Sequence, residues 1–329
     1  MYDIVCIGDL IRDIFIKPHE AELGCPTGNK TCLNPFLCLE YGSKITIDEV
    51  NYEVGGGAAN TSVAFSKMGL NSAVLSLLGN DYPAQVILER LEDEGVSTKL
   101  IKINSKIQTR FSIIITFRQE KTILVYRLND YSVLKIPKKL PSKWLYLSPL
   151  GKGYEEIYKS AIALASEKNL KIALNPGTIQ IQDGTSKLRS ILNVSDILIL
   201  NKKEAIDLVK LPGLPRPREI LKSIHLLGAK IVVMTDGIKG SCAYDGEKFY
   251  ETGIYPGQVV ETTGAGDSFA SAFITAIIEG TSILEALRWG AVNASSVVGK
   301  VGAHQGLLTK EEIRRRVKEH RWQSISRFL

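Results

Sequence analysis

The apolar positions of this chain follow two rhythms, and each segment keeps to one of them. Short runs rich in β-branched residues, at 2–8, 73–78, 144–147, 171–174, 196–200 and 230–234, are apolar almost throughout. Such runs predict strands covered on both faces. Between the later ones lie stretches with apolar residues three or four apart, at 154–167, 186–193, 203–209 and 216–227, which predict amphipathic helices. Further helices are predicted at 83–94, ending at Gly95, and at 283–298, where Ser282 and Glu285 read as a capping box. Strands alternating with helices predict an α/β fold: a central, mostly parallel sheet flanked by helices. Residues 241–252 read as a hairpin at one end of it.

A different pattern interrupts the body. Residues 45–50 alternate apolar and polar, and 109–117 and 122–128 are β-rich runs on either side of the polar residues 118–121. These predict a strand and a hairpin forming a small β-sheet that stands apart, a lid drawn from about 14–53 and 107–130 of a single 1–329 domain. Residues 17–44 carry Pro18, Pro26 and Pro35 with no clean period, which predicts a flap or an insertion.

Composition narrows the class. Apolar residues make up 44% of 329, enough for a sizeable core, but no run approaches the 18 or so needed to span a membrane. The N-terminus holds Asp3 and Asp9 and lacks the basic start of a signal peptide, so a cytoplasmic protein without a membrane partner is expected. The net charge of +6 is partly gathered at 314–318 and Arg321. With no basic stripe interleaved with aromatics, that cluster reads as a solvated helix face rather than a nucleic-acid surface. Cys6 and Cys242 lie in strand-like runs. Cys25, Cys32 and Cys38 form no C-x-x-C pair and have only His19 nearby, so neither zinc nor a disulfide is expected.

The chemistry concentrates in the turn Glu261-Thr262-Thr263-Gly264-Ala265-Gly266-Asp267-Ser268-Phe269. Gly264, Ala265 and Gly266 let the backbone approach a ligand and aim its N–H groups at it, and a helix begins there. The first N–H groups of a helix lack partners and its dipole favours negative charge, so an anion would sit well. Asp267 repels such an anion. It fits either as an ordinary helix N-cap or as a base that takes a proton from a hydroxyl attacking a phosphoryl group. Other strand ends carry polar groups: Asp13 five residues past Gly8; Gly55, Gly56, Gly57 and Asn60 before a helix; Asn201 and Glu204 after the 196–200 run; Thr235, Gly237 and Gly240 after 230–234. Ligands bind at such edges in open α/β sheets.

Taken in order, these motifs resemble the PfkB (ribokinase-like) family of carbohydrate and nucleoside kinases. The turn is similar to the family's Asp-Thr-x-Gly-Ala-Gly-Asp-x-Phe, with Glu261 for the usual Asp. The resemblance implies a ribokinase-like fold and an ATP-dependent kinase that phosphorylates a hydroxymethyl group of a sugar, or alternatively of a nucleoside such as adenosine. Asp267 would be the base, beside the N–H groups of Gly264, Ala265 and Gly266. Asp13, Gly55, Gly56, Gly57 and Asn60 would bind the sugar. Asn201, Glu204, Thr235, Gly237, Gly240 and Asn293 would serve ATP, with Glu204 organising Mg²⁺ through water. Glu261 and Thr263, with the loop 299–303, would stand at a monovalent-cation (K⁺) site. Arg110, Arg127 and Asn129 are lid-side candidates for substrate contact, and pairing of lids across a two-fold axis would give a homodimer. A rival reading, a Rossmann-type oxidoreductase using Gly55–Gly57, lacks the G-x-G-x-x-G spacing and leaves Asp267 unexplained.

Overall fold

A computed structural model describes residues 1–25, 35–118, 120–126, 131–211, 213 and 215–322. Its body is an eight-stranded sheet in the order Phe249–Thr252, Ser241–Tyr244, Ile231–Thr235, Ile197–Asn201, Lys171–Leu174, Ser142–Leu147, Tyr2–Ile7, Ser72–Leu75. The six strands from Ile231–Thr235 to Ser72–Leu75 pair parallel, and the remaining two join antiparallel as the expected hairpin. Alternate side chains of each parallel strand enter opposite cores. Ile4 and Cys6 pack with the helices Gly57–Lys67, Ala265–Ile278 and Ile283–Val298, whereas Val5 and Ile7 pack with Tyr154–Lys168 and its neighbours. That two-sided burial is why these strands read as continuous apolar runs.

The run 73–78 is split. Ser72–Leu75 belongs to the main sheet, and Leu77–Leu78 pairs with Lys102–Ile103. Ser76 lies between them and donates from its hydroxyl to the Gly8 carbonyl, 2.6 Å away, which ties the break to the end of the first strand. The apolar pair Val259-Val260 forms no strand. Both are exposed, and the Val260 and Glu261 N–H groups share the Val298 carbonyl instead.

The lid is a four-stranded sheet, Glu120–Tyr126, Phe111–Phe117, Ile11–Pro18, Ile47–Gly55. Its third member is absent from the sequence-based expectation. Ile11–Pro18 carries apolar residues on both faces, Phe15 on one and Ile14 and Ile16 on the other, so no two-residue period marks it. It runs parallel to Phe111–Phe117 and antiparallel to Ile47–Gly55. Register sets Asp13 opposite Glu53 and Ser112, Phe15 opposite Ile114, and Lys121 opposite Thr116, all on the face toward the body. Within the irregular 17–44 segment, Glu22–Gly24 and Phe36–Cys38 pair as a small ribbon, and Cys32 lies outside the described residues. Cys6, Cys38 and Cys242 are free thiols.

The strand Ile47–Gly55 feeds straight into the Gly57–Lys67 helix through Gly56, whose φ is 97°. A Cβ there would stand 2.8 Å from the Asp9 carbonyl carbon. The triglycine turn therefore joins lid to body and does not follow a strand of the parallel sheet, as a dinucleotide turn would. Gly56→Ala should cost about 1–3 kcal/mol through strain at a left-handed position against rigid backbone. A urea unfolding midpoint equal to that of the unmutated protein would refute this.

Candidate active site

The turn before the Ala265–Ile278 helix is shaped from outside. Gly264 (φ 78°) is the helix N-cap, and a Cβ on it would lie 2.6 Å from the Ala303 methyl. Gly266 has open space on its side, with nothing within 4 Å of where a Cβ would be. Since Gly264 occupies the cap and no side chain bonds there, the capping reading of Asp267 fails. The Asp267 carboxylate instead accepts a hydrogen bond of 2.8 Å from Asn60 Nδ2. Asn60 is buried in the first turn of the Gly57–Lys67 helix, and its Oδ1 faces His304 Nε2 at 3.0 Å. Because the amide nitrogen is committed to the carboxylate, Oδ1 must accept, so the neutral imidazole carries its proton on Nε2. Burial, with Arg90 beside it, pushes the His304 pKa down to about 4, which keeps it neutral. The chain His304–Asn60–Asp267 thus runs one way. Burial raises the Asp267 pKa to about 6, against the opposing effect of the Asn60 hydrogen bond.

Asp13 stands on the lid side. Burial pushes its pKa up to about 6, Ser112 opposes this by hydrogen bonding, and the facing Glu53 adds to it. Gly55 packs directly on the Asp13 carboxylate, a close approach that only a residue without a side chain allows. Glu53 is itself raised, chiefly by burial. Asp9, Arg110 and Tyr131 form a cluster close by: Arg110 and the Tyr131 hydroxyl both bond Asp9 Oδ1, and the guanidinium lies 4.4 Å over the Tyr131 ring. Arg110 meets Asp9 through Nη1, while its buried Nε and Nη2 have no hydrogen-bond partner among the described residues; Arg127 and Asn129 lie outside those residues.

A cleft brings Asn201, Glu204 and Thr235 together with Gly264, Gly266 and Asp267, and Asn175 also lines it. Asn201 caps the Lys202–Val209 helix in a reciprocal box: Oδ1 accepts from the Glu204 N–H and the Glu204 carboxylate accepts from the Asn201 N–H, each at 2.9 Å. Capping and lining the cleft coexist. Burial, the largest influence, raises the Glu204 pKa in spite of these bonds. Asn175 escaped the sequence reading, although the rule that found Asn201 applies: it is the first residue beyond the Lys171–Leu174 strand. Its amide nitrogen donates to the Ile199 carbonyl at 2.8 Å.

Three expected ligand residues stand elsewhere. Asn293 is fully buried, donating to the Ser268 carbonyl at 2.9 Å and accepting from the Leu308 N–H at 3.1 Å. Its amide thus holds the Ala265–Ile278 helix to Ile283–Val298 and is not among the groups lining the cleft. Gly237 opens a short 3-10 turn, Gly237–Lys239, and does not line the cleft with Thr235. Gly240 packs against the backbone of Thr252 and Gly253, so it closes the hairpin.

Glu261 also departs from expectation. It is buried, accepts from Lys121 on the lid, and accepts at 3.0 Å from the Gly302 N–H. Burial works against its ionisation, but the bonds from Lys121, Thr263 and Gly302 outweigh it and hold the carboxyl below its ordinary range. A carboxylate so committed to donors is a poor ligand for a monovalent cation. The residues at the cleft do fit Mg²⁺: Glu204 and Asn201 offer hard oxygen donors, of the kind that ion takes while keeping several waters. Among the described residues no cluster of three or more His, Cys, Asp or Glu could enclose a metal, and no helix is long and apolar enough to cross a membrane.

The model of the pfkB family carbohydrate kinases matches residues 1–310. A 5-dehydro-2-deoxygluconokinase of Shouchella clausii is 28% identical over 284 residues, covering 81% of this chain and 86% of that protein. Among solved structures, Arabidopsis thaliana ribokinase complexed with ribose and ATP superposes with a TM-score of 0.81 at 23% identity, covering 97% of this chain and 99% of that one. A Methanocaldococcus jannaschii nucleoside kinase of the ribokinase family gives a TM-score of 0.76 at 22% identity, with the same coverages of 97% and 99%. A family model spanning the motifs at both ends of the chain, on a fold that its structural neighbours share, makes this protein a member of the pfkB family of carbohydrate kinases.

Proposed function

We propose that this kinase transfers the γ-phosphoryl group of ATP to a hydroxymethyl group of a sugar held by Asp13, Gly55–Gly57 and Asn60, with Asp267 as the base. The observation that carries the reading is the Asp267 carboxylate, held by Asn60 and not by its own helix, at an open N-terminus beside Gly266. Asp267 takes the proton of the attacking hydroxyl as its oxygen bonds to the γ-phosphorus. The bond from that phosphorus to the β–γ bridging oxygen breaks, and ADP leaves with the electron pair. The N–H groups at 264–267 face the charge on the transferring group without having to reorganise. Mg²⁺ bound near Glu204 and Asn201 would neutralise phosphate charge. The paired carboxylates Asp13 and Glu53 suit several hydroxyls, as a sugar presents either free or within a nucleoside. A panel of ribose, fructose, 5-dehydro-2-deoxygluconate and adenosine, followed by ADP release with Mg²⁺ and again with excess EDTA, tests the assignment. Turnover with a sugar that EDTA abolishes is expected. ADP release no faster with any acceptor than with water would sink it.

The base role makes its own prediction. Asp267→Asn keeps the size and can still accept from Asn60, so kcat should fall by about 10²–10⁴ while the fold survives. The sign for stability follows from the raised pKa of about 6. Folding disfavours the ionised form, so above that pH the carboxylate destabilises the native state and its removal should not lower the melting temperature. In the unmutated enzyme, kcat/KM should fall as pH drops through about 6, where Asp267 becomes protonated. A stable variant with near-normal kcat would refute the assignment.

The lid face opposite Asp13 carries Val50, Tyr52, Leu124 and Tyr126, all exposed. We infer that a second copy of the chain covers it, because an apolar sheet face this open is a usual mark of a protein interface. Light scattering should return twice the 36.2 kDa chain mass, and Leu124→Lys should reduce it to one. A unit mass for the unmutated protein at assay concentrations would reject the dimer.

A further inference from the structure

We propose that the Lys121 ammonium is the built-in counter-cation of the anion-binding turn, standing where a monovalent metal ion would otherwise sit, so that this enzyme needs no such ion. The inference builds on the kinase reading above and concerns the same turn. Glu261 immediately precedes Thr262–Gly264 and is only 8% exposed. A carboxylate buried this far needs a positive partner, because losing its hydration is costly. Three groups serve it, and all three bring hydrogen: the Lys121 ammonium on Oε1, the Gly302 N–H on Oε2 at 3.0 Å, and the Thr263 hydroxyl. Three of the carboxylate's roughly four acceptor sites are thereby taken, and a metal ion at Oε1 would meet the like charge of the Lys121 ammonium.

Lys121 is placed for the task by the lid. Its register opposite Thr116 points it to the same face as Asp13 and Phe15, and its ammonium lies 5.2 Å from the Phe15 ring centroid. That ring shields the ammonium and adds a cation–π attraction. The contact joins residues 140 apart in sequence, and its other end lies three residues before Gly264. Glutamate in place of aspartate has one more methylene, a length that suits a partner coming from the lid rather than an ion resting in the loop. Two consequences follow. The turn keeps a fixed charge balance, leaving its N–H groups for phosphate. The balance is complete only while the lid stands over the body, so Lys121 links lid position to the geometry around Asp267.

The test compares the intact enzyme and Lys121→Met, in choline chloride and in KCl at equal ionic strength, by kcat and by melting temperature. The unmutated enzyme should show the same kcat and melting temperature in both salts. In choline, Lys121→Met should lose about tenfold in kcat, less than the roughly 10²–10³ for losing a donor that touches the reacting group. In KCl or ammonium chloride it should recover most of that loss and melt at a higher temperature. Lys121→Arg should remain independent of K⁺. Saturable activation or thermal stabilisation of the unmutated enzyme by K⁺ would overturn the proposal. So would a full kcat for Lys121→Met in choline, or a loss that no monovalent cation restores, since either makes Lys121 a strut at most. Should no acceptor be phosphorylated, the kinase reading fails, and the melting temperatures still decide whether the site takes K⁺.

Discussion

The hydrogen bond from Asn60 to Asp267 joins two motifs separated by 207 residues, and the active site depends on it. It ties the first turn of one helix to the first turn of another. It also sets a compromise. Burial alone would push Asp267 further toward the protonated form, and full exposure would leave it a weak base near the ordinary carboxylate value. One donated hydrogen bond in a desolvated setting holds it at about 6. The direction of that bond is not free, because an Asn amide can be turned end for end. The ionised Asp267 carboxylate decides it, because it can only accept; it takes the N–H side and leaves Oδ1 to accept from His304.

The two sheets supply different kinds of group. The parallel body delivers Asn175, Asn201 and Thr235 at the points where its strands stop, and these line the cleft together. Covered on both sides, this sheet holds such residues rigidly, as phosphate chemistry requires. The lid supplies Asp13, Glu53 and Lys121 from one face of a four-stranded mixed sheet and presents an apolar face outward. A sheet of this sort can afford charged residues on a single face, since only that face meets the body.

Much of this was legible in the sequence, for identifiable reasons. The parallel strands announce themselves because burial on both faces removes polar residues from the whole run, as in Ile197–Asn201 up to its last residue. Asp267 was legible because a carboxylate within a small-residue turn contradicts the anion site around it. Ile11–Pro18 was not, since apolar residues on both its faces erase the period of two. The backbone partners of Asn293 were not legible, because a polar residue within an apolar helix looks alike whether it meets a ligand or a neighbouring backbone. Lys121 was invisible as a partner for Glu261. A lysine near a hairpin tip reads as solvated, and nothing local shows what lies across the fold.

The least conspicuous stretch in sequence holds most of the site together. Three successive residues, Gly302, Ala303 and His304, each support a different part of it. Gly302 donates its N–H to Glu261, Ala303 packs against Gly264 at the helix N-cap, and His304 bonds Asn60. A few residues on, the Leu308 N–H holds Asn293, which in turn holds the Ser268 carbonyl. The turn bearing Asp267 therefore does not define its own shape. Gly264 is free to take many conformations, and the loop selects one by steric contact on one side and hydrogen bonds on the other. A change in this loop alters Asp267, the turn and the Glu261 carboxylate together, because all three are braced by one backbone segment. Rate effects from residues that touch no ligand are the physical consequence, since a shift of about 1 Å in reacting groups is enough to cost orders of magnitude in rate.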